Sequence, residues 1–414
     1  MSARVGRRSI AVIAAALSIA MSVTAEEVKF MQDLDLSLYG TEDQGNTSSP
    51  FARLQAPSAW TLTPALYGDY TLRFQTDSGV SGQLTASATD VPSSSFSAAI
   101  DQAWVKATFG EGWALDFGRR TLNEWKGDGY WHPSDLVNNY LSWNAIGQAA
   151  GNDSVELYGL VPFSEFNIDF NVATVFTDIV AYPSDLPLFV TAGSILYPFE
   201  IRAKAAFQSG RLPRIGASAS YSLESGSIYA DALWLQDNPI TESFGFGTSE
   251  GSWFRYSGGF QWTFDITQSR AAQSLFLQLE YQRQDDGLDS AQFSDYFSTL
   301  QSMPLIDSHG QSAYANEAGL MSTRFFTLGQ DYLFADATLG EIANAHISVS
   351  ESCLLNIDDL SFALQSSLTW SPRNLFSVCL SAINVGNLAG PSYGGEALNL
   401  PISAQYQLAL SRSF

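Results

Sequence analysis

From Val28 onward, apolar residues recur at every second position, the period of a strand whose two faces meet different surroundings. Val28, Phe30, Leu34, Leu36 and Leu38 share one face, and Lys29, Asp33, Asp35 and Ser37 take the other. Trp60, Leu62, Leu66, Tyr70, Leu72 and Phe74 repeat the pattern, opposed by Thr61, Thr63, Asp69, Thr71 and Arg73. The alternation predicts further strands near 80–88, 99–109, 113–120, 154–161, 166–176, 188–197, 201–208, 214–223, 228–235, 253–264, 274–283, 323–334, 346–355, 361–370, 375–384 and 401–414. That makes about 18 strands, with about 16 as the next choice because only Asn356 to Leu360 separates two of them.

The spacers alternate in length. Asp77-Ser78-Gly79, Gly110-Glu111-Gly112, Pro162 to Glu165, Pro198 to Glu200, Glu224 to Ser227 and Ser371 to Asn374 are tight. The stretches 41–58, 121–153, 236–252, 284–322 and 385–400 are longer and more polar. This rhythm predicts an all-β fold, a closed antiparallel transmembrane β-barrel with short periplasmic turns and long outer loops. Large rings gather beside the tight turns: Trp113, Phe166, Tyr197, Trp262, Phe264, Trp370, Phe376 and Phe414. Amphipathic rings settle at a lipid–water boundary in this way. Closure is required because backbone groups in hydrocarbon must all be paired, so the first strand has to meet the last.

Composition decides where the apolar faces point. Only 15% of residues are charged, well below the roughly one quarter of a soluble domain. Past the amino-terminal leader, no apolar run reaches the roughly 20 residues of a membrane helix, so the strands themselves must face lipid. The leader carries Arg4, Arg7 and Arg8, an apolar stretch from Ile10 to Val23, and the small residues Val23-Thr24-Ala25. This predicts a signal peptide over 1–25 and one barrel domain over 26–414. The net charge is −22, and −25 without the three leader arginines. That excess of acid excludes a nucleic-acid partner and suits a cation-favouring lumen or solvated loops. Cys353 and Cys379 fall on strands expected to have another between them, beyond the roughly 7 Å limit for a disulfide.

The carboxy-terminal strand carries the most specific pattern. Ile402, Ala404, Tyr406, Leu408, Leu410 and Phe414 form one apolar face, opposed by Ser403, Gln405, Gln407, Ala409 and Ser411. This resembles the last strand of bacterial outer-membrane β-barrel porins. The resemblance implies that Tyr406, Leu408, Leu410 and Phe414 are an assembly signal read by the barrel-assembly machinery. Arg412 departs from it, standing where that family is usually apolar, although a long cation at a strand end can snorkel to the interface. The resemblance names no subfamily. It implies an outer-membrane channel of a diderm bacterium for passive diffusion of small hydrophilic solutes, and general porins are often homotrimers.

A barrel of about 18 strands is too wide for its own side chains to fill, so a water-filled channel follows unless a loop folds inward. The stretch 121–153 is the favoured constriction loop, ahead of 284–322, with Glu124, Lys126, Asp128, Tyr130, Trp131, His132 and Asp135 among Gly127, Gly129 and Pro133. The plainer expectation is a loop that caps the outside. Strand parity assigns Asp33, Asp35, Asp69, Asp116 and Asp169 to the pore wall in the first third, and Arg202, Lys204, Arg214 and Arg255 about halfway round. Facing acid and base would set up a transverse field, while Arg73 and Arg120 stand among the acids and are expected to pair with them. Trp125, Tyr130 and Trp131 offer a stacking platform, though loop aromatics more often pack their own loop.

Other classes fit less well. His132 beside Ser134 and Asp135 is a local match to a catalytic set that chain neighbours seldom form, and His346 is expected at the periplasmic rim; neither a catalytic site nor a cofactor is assigned. Asp285, Asp286 and Asp289 around Gly287 miss the spacing of a calcium loop and read as loop solvation. The first strand begins too near the leader for a plug domain or a threaded amino-terminal segment. The alternative is an outer-membrane adhesin or receptor whose loops 41–58, 236–252 and 284–322 bind a ligand.

Overall fold

The computed structural model describes residues 28–45, 61–90, 96–120, 122, 125, 128–136, 152–163, 166–176, 186–237, 250–266, 272–302, 328–343, 345–372, 376–389, 395–399 and 402–413. Its strands are β1 (Val28–Gly45), β2 (Thr61–Thr76), β3 (Val80–Asp90), β4 (Ser97–Phe109), β5 (Trp113–Arg120), β6 (Asn152–Pro162), β7 (Asn167–Phe176), β8 (Leu188–Leu196) and β9 (Phe199–Phe207). They continue as β10 (Arg214–Leu223), β11 (Gly226–Asp237), β12 (Glu250–Asp265), β13 (Ser274–Gln284), β14 (Asp331–Ile342), β15 (Ile347–Asn356), β16 (Ser361–Trp370), β17 (Ser377–Asn387) and β18 (Ile402–Ser413). Each pairs antiparallel with the next, and β1 pairs with β18 from Asp35–Ser413 to Gly45–Ile402, so the 18-stranded sheet closes on itself. No edge is left to pair with another chain.

Alternation sorts every strand into an outer and an inner face. On β13 the neighbours Leu279 and Glu280 are 39% and 1% exposed; the leucine faces outward and the carboxylate inward. Phe30, Ile201, Leu408 and Leu410 are likewise exposed on the outer face, an apolar surface that only lipid accommodates at this extent. Leu279→Arg is therefore expected to cost about 2–4 kcal/mol of folding stability in a bilayer, measurable by urea titration in lipid vesicles.

The short turns share one rim, and the aromatic residues mark it. Trp113 meets Phe170 edge-on at 5.2 Å, Phe163 stacks on Phe166 at 4.9 Å, Trp262 lies 6.1 Å from Phe264 and Trp370 meets Phe376 at 5.6 Å. His346 lies in the turn between β14 and β15, beside Glu341 at 3.3 Å. Cys353 on β15 and Cys379 on β17 face opposite sides of the wall, with β16 between them.

Three features depart from the sequence expectation. β14 starts at Asp331 rather than near 323, because Leu328 is buried inside and its N–H donates to Glu396 Oε1 at 2.9 Å. The stretch 284–322 holds a helix, α1 (Ser290–Ser302). Asp289 caps it, accepting from the N–H groups of Ala291 and Gln292 at 2.9 and 2.8 Å, while Phe293 and Tyr296, one turn apart, are buried. The neighbouring carboxylates do more than solvate a loop: Asp285 pairs with Arg283 at 2.9 Å, and the buried Asp286 receives a two-pronged contact from Arg255.

Candidate functional site

The connection after β5 enters the barrel. Trp125 is fully buried among Leu122, Leu136, Ala173, Val175, Phe189, Leu233 and Leu235, so apolar wall residues of β7, β8 and β11 draw it in. Its indole N–H donates to Glu156 on β6 at 3.0 Å, and its carbonyl accepts from Lys204 Nζ on β9 at 2.5 Å. Further along, the N–H groups of Tyr130 and Trp131 donate to the two oxygens of Glu280 on β13, at 2.6 and 3.1 Å. Ser134 donates its N–H and hydroxyl to Asp231 on β11 at 2.6 and 2.7 Å. Buried backbone donors of an irregular segment need such acceptors, and charged acceptors bind them more strongly than neutral ones.

Two glycines make this close approach feasible. A Cβ at Gly129 would lie 2.6 Å from both Glu280 Oε2 and Tyr229 Cε2, and one at Gly216 would lie 2.6 Å from Ser134 Cβ. The ring of Tyr130 stacks on Phe334 of β14 at 3.9 Å, and Trp131 meets the same ring edge-on at 6.1 Å. All three loop aromatics therefore pack on the wall, Trp125 against Phe189 of β8 at 6.2 Å, and Tyr130 and Trp131 also meet each other edge-on at 5.2 Å. In the ring of eighteen, β14 stands nine places from β5, so the loop reaches the opposite wall along the arc through β6, β9, β11 and β13.

The eleven residues assigned by parity to the wall stand in two different settings. On β5 to β12 they are covered and paired. Asp116 holds Arg120 at 2.9 Å and Lys106 at 3.9 Å, Arg120 reaches Glu156 at 3.1 Å, and Arg202 holds Asp169 at 2.7 Å and Glu200 at 3.3 Å. Lys204 lies 3.9 Å from Asp231, Arg255 holds Asp286, and Arg214 is buried. On β1 and β2 the setting is open. Arg73 meets Asp33 at 2.5 Å with both side chains nearly half exposed, and Asp35 stands opposite Asp69, which accepts from the Tyr67 hydroxyl at 2.7 Å.

Of the constriction-loop residues, Asp128 and Tyr130 are exposed, His132 is half-buried, and Trp131 and Asp135 are buried. Glu124 and Lys126 lie outside the described residues, as does Phe414 of the terminal strand. Tyr406, Leu408 and Leu410 point outward and are exposed.

A second inward cluster had no counterpart in the sequence pattern. Glu396 opens a short 3₁₀ helix (Glu396–Asn399) before β18 and is fully buried. It accepts from Leu328 N–H at 2.9 Å, the Tyr332 hydroxyl at 2.7 Å and Asn356 Nδ2 at 2.9 Å. Its own N–H donates to Asp359 at 2.6 Å. Burial pushes the Glu396 carboxyl up to about 7, and burial likewise raises Asp359.

Solved structures share this closed barrel. OccAB1 of Acinetobacter baumannii superposes with a TM-score of 0.53 over 93% of this chain and 96% of its own, at 8% identity. A BenF-like porin of Pseudomonas fluorescens gives 0.52 over 93% and 98%, also at 8% identity. The fold is a porin fold. OccK2 of Pseudomonas aeruginosa, solved in complex with glucuronate, matches at 0.52 over 93% and 98%, with 8% identity. At these identities the likeness is one of architecture, and no residue of the porin barrel's interior is assigned from it. No protein-family model matches the sequence, and no curated protein matches it either.

Proposed function

We propose that this porin barrel sits in the outer membrane of a diderm bacterium and lets small hydrophilic solutes diffuse passively through a water-filled bore. The observation that carries the reading is the contrast between faces. Large apolar side chains are exposed all round the outside, while the inner face carries Ser, Thr, Gln and carboxylates that remain partly exposed on β1–β3 and β15–β18. A ring of eighteen strands encloses more space than its own side chains fill, and a loop bound to the inner wall narrows that space.

The leader over 1–25 supports export. The outward alternation of Tyr406, Leu408 and Leu410, continued by Phe414 in the sequence, supports delivery through the barrel-assembly machinery. Homotrimeric assembly belongs to the same reading. Protein refolded from denaturant is expected to give stepwise openings in a planar bilayer and to admit small sugars in liposome swelling. A silent bilayer with intact barrel structure would overturn the channel and favour the adhesin.

A further inference from the structure

The inner wall is not evenly covered. From β6 to β13 many of its polar residues are almost shut off from solvent, with Asn171 and Thr191 at 0%, Glu280 at 1%, Lys204 and Glu156 at 2% and Asp231 at 4%, while Ser218, Ser220, Gln261 and Gln278 of the same face are half-buried. The shut-off residues lie under the loop that runs from Trp125 to Leu136. On the other side the same inner parity stays accessible. Thr71, Thr85, Ser350, Ser367, Ser381 and Gln407 are all half-buried, and the side chains of Asp33 and Arg73 are 48% and 45% exposed.

We propose that solutes pass off-centre, along the wall from β15 through β18 to β4, and that acid in excess there makes the path prefer cations. Arg73 faces Asp33, Lys29 faces Asp77 at 3.7 Å and Lys106 faces Asp116 at 3.9 Å, while Asp35 and Asp69 add to the acidic side. The proposal rests on the channel reading. Two observations carry it independently. One is the burial asymmetry, which places the open bore. The other is the pairing of the opposite wall, where the guanidinium and ammonium groups of Arg120, Arg202, Lys204 and Arg255 each face at least one carboxylate. A charge that is both covered and paired projects little field into water, whereas an exposed charge at the bore acts directly on a passing ion. Asp35 and Asp69 stand directly opposite each other across β1 and β2. Like charges so placed are destabilising unless water or a passing cation screens them. The basic residues of β9 to β12 then serve as ties between wall and loop, and selectivity moves to the β1–β2 side.

The test is the reversal potential in a potassium chloride gradient. The parent is expected to be cation-selective. In Asp35→Asn/Asp69→Asn the potassium-to-chloride permeability ratio is expected to fall several-fold, and in Arg73→Gln to rise. The double change Arg202→Gln/Asp169→Asn, which removes one charge of each sign from the covered wall, is expected to move it far less. Anion selectivity in the parent would overturn the inference, as would a ratio that responds to the covered pair and ignores Asp35, Asp69 and Arg73. A parent that shows no openings would instead overturn the channel reading.

Discussion

Glu280→Ala is expected to raise single-channel conductance several-fold while leaving the barrel intact. Glu280 is the point where the loop tip meets the far wall, and it accepts from three donors: Tyr130 N–H, Trp131 N–H and the Tyr229 hydroxyl at 2.9 Å. A hydrogen bond to a charged acceptor contributes about 1.5–3 kcal/mol, and removing the acceptor takes it from the buried Trp131 and Tyr229 and from Tyr130, which can turn to water. The loop tip then gains more by leaving the wall than by staying. The barrel is spared because Glu280 contributes its side chain, not the ladder of β13 with β12 and β14. Glu280→Gln should fall between the two, since an amide keeps one accepting oxygen but brings an N–H₂ group against donors. Gly129→Val attacks the same contact from the loop side, because its Cβ would sit 2.6 Å from the carboxylate. Conductance equal to the parent's in both Glu280→Ala and Gly129→Val, with barrel circular dichroism preserved, would show that this contact does not narrow the bore.

The wall and the loop differ in how far the sequence alone reveals them. Period-two alternation is enforced at every step by lipid on one side and water on the other, so the order of strands and the inward parity of residues such as Asp33 and Arg202 follow from local pattern. β14 slipped because Phe325, Phe326 and Leu328 read as one apolar stretch with Leu333, although Leu328 is buried at the top of the bore and the ladder with β13 starts at Asp331. The stretch 284–322 reads in sequence as a polar loop because the buried stripe of α1 is only Phe293 and Tyr296, and two apolar residues carry little periodicity. Glu156, Asp231 and Glu280 sit at ordinary wet positions of their strands. What sets them apart is a partner far away in the chain, 149 and 150 residues for the two N–H groups on Glu280, and no periodicity records that. For the same reason parity placed Arg202 and Lys204 on the inner face yet said nothing of their burial under a loop.

The second large effect concerns pH. Glu396 joins three segments that meet at the loop rim: the entry to β14 through Leu328 and Tyr332, the end of β15 through Asn356, and the 3₁₀ helix before β18. Its carboxyl is pushed up to about 7 from an ordinary 4.5, with burial as the largest cause, against the lowering effect of the hydrogen bonds it accepts. The folded latch therefore binds a proton that the opened latch releases, so the proton stabilises the closed form. That contribution is fully present below about pH 4.5 and is lost as pH rises through about 7; the ionised carboxylate then costs the closed latch about 3 kcal/mol relative to the protonated one. Hydrogen exchange at Leu328 and Ala397 is expected to be slow at pH 5 and markedly faster at pH 8. Glu396→Gln, which fixes the neutral state, is expected to remove most of that difference once the intrinsic rise of exchange with pH is divided out. A Glu396→Gln protein that keeps the parent's pH dependence would locate the titrating group elsewhere, with Asp359, also raised by burial and bound to Glu396 N–H, the next to test by Asp359→Asn. Trp131, whose N–H donates to Glu280, packs 6.2 Å from Tyr332, whose hydroxyl donates to Glu396, so the two contacts share one buried cluster and the effects of Glu280→Ala and Glu396→Gln are expected to couple rather than add.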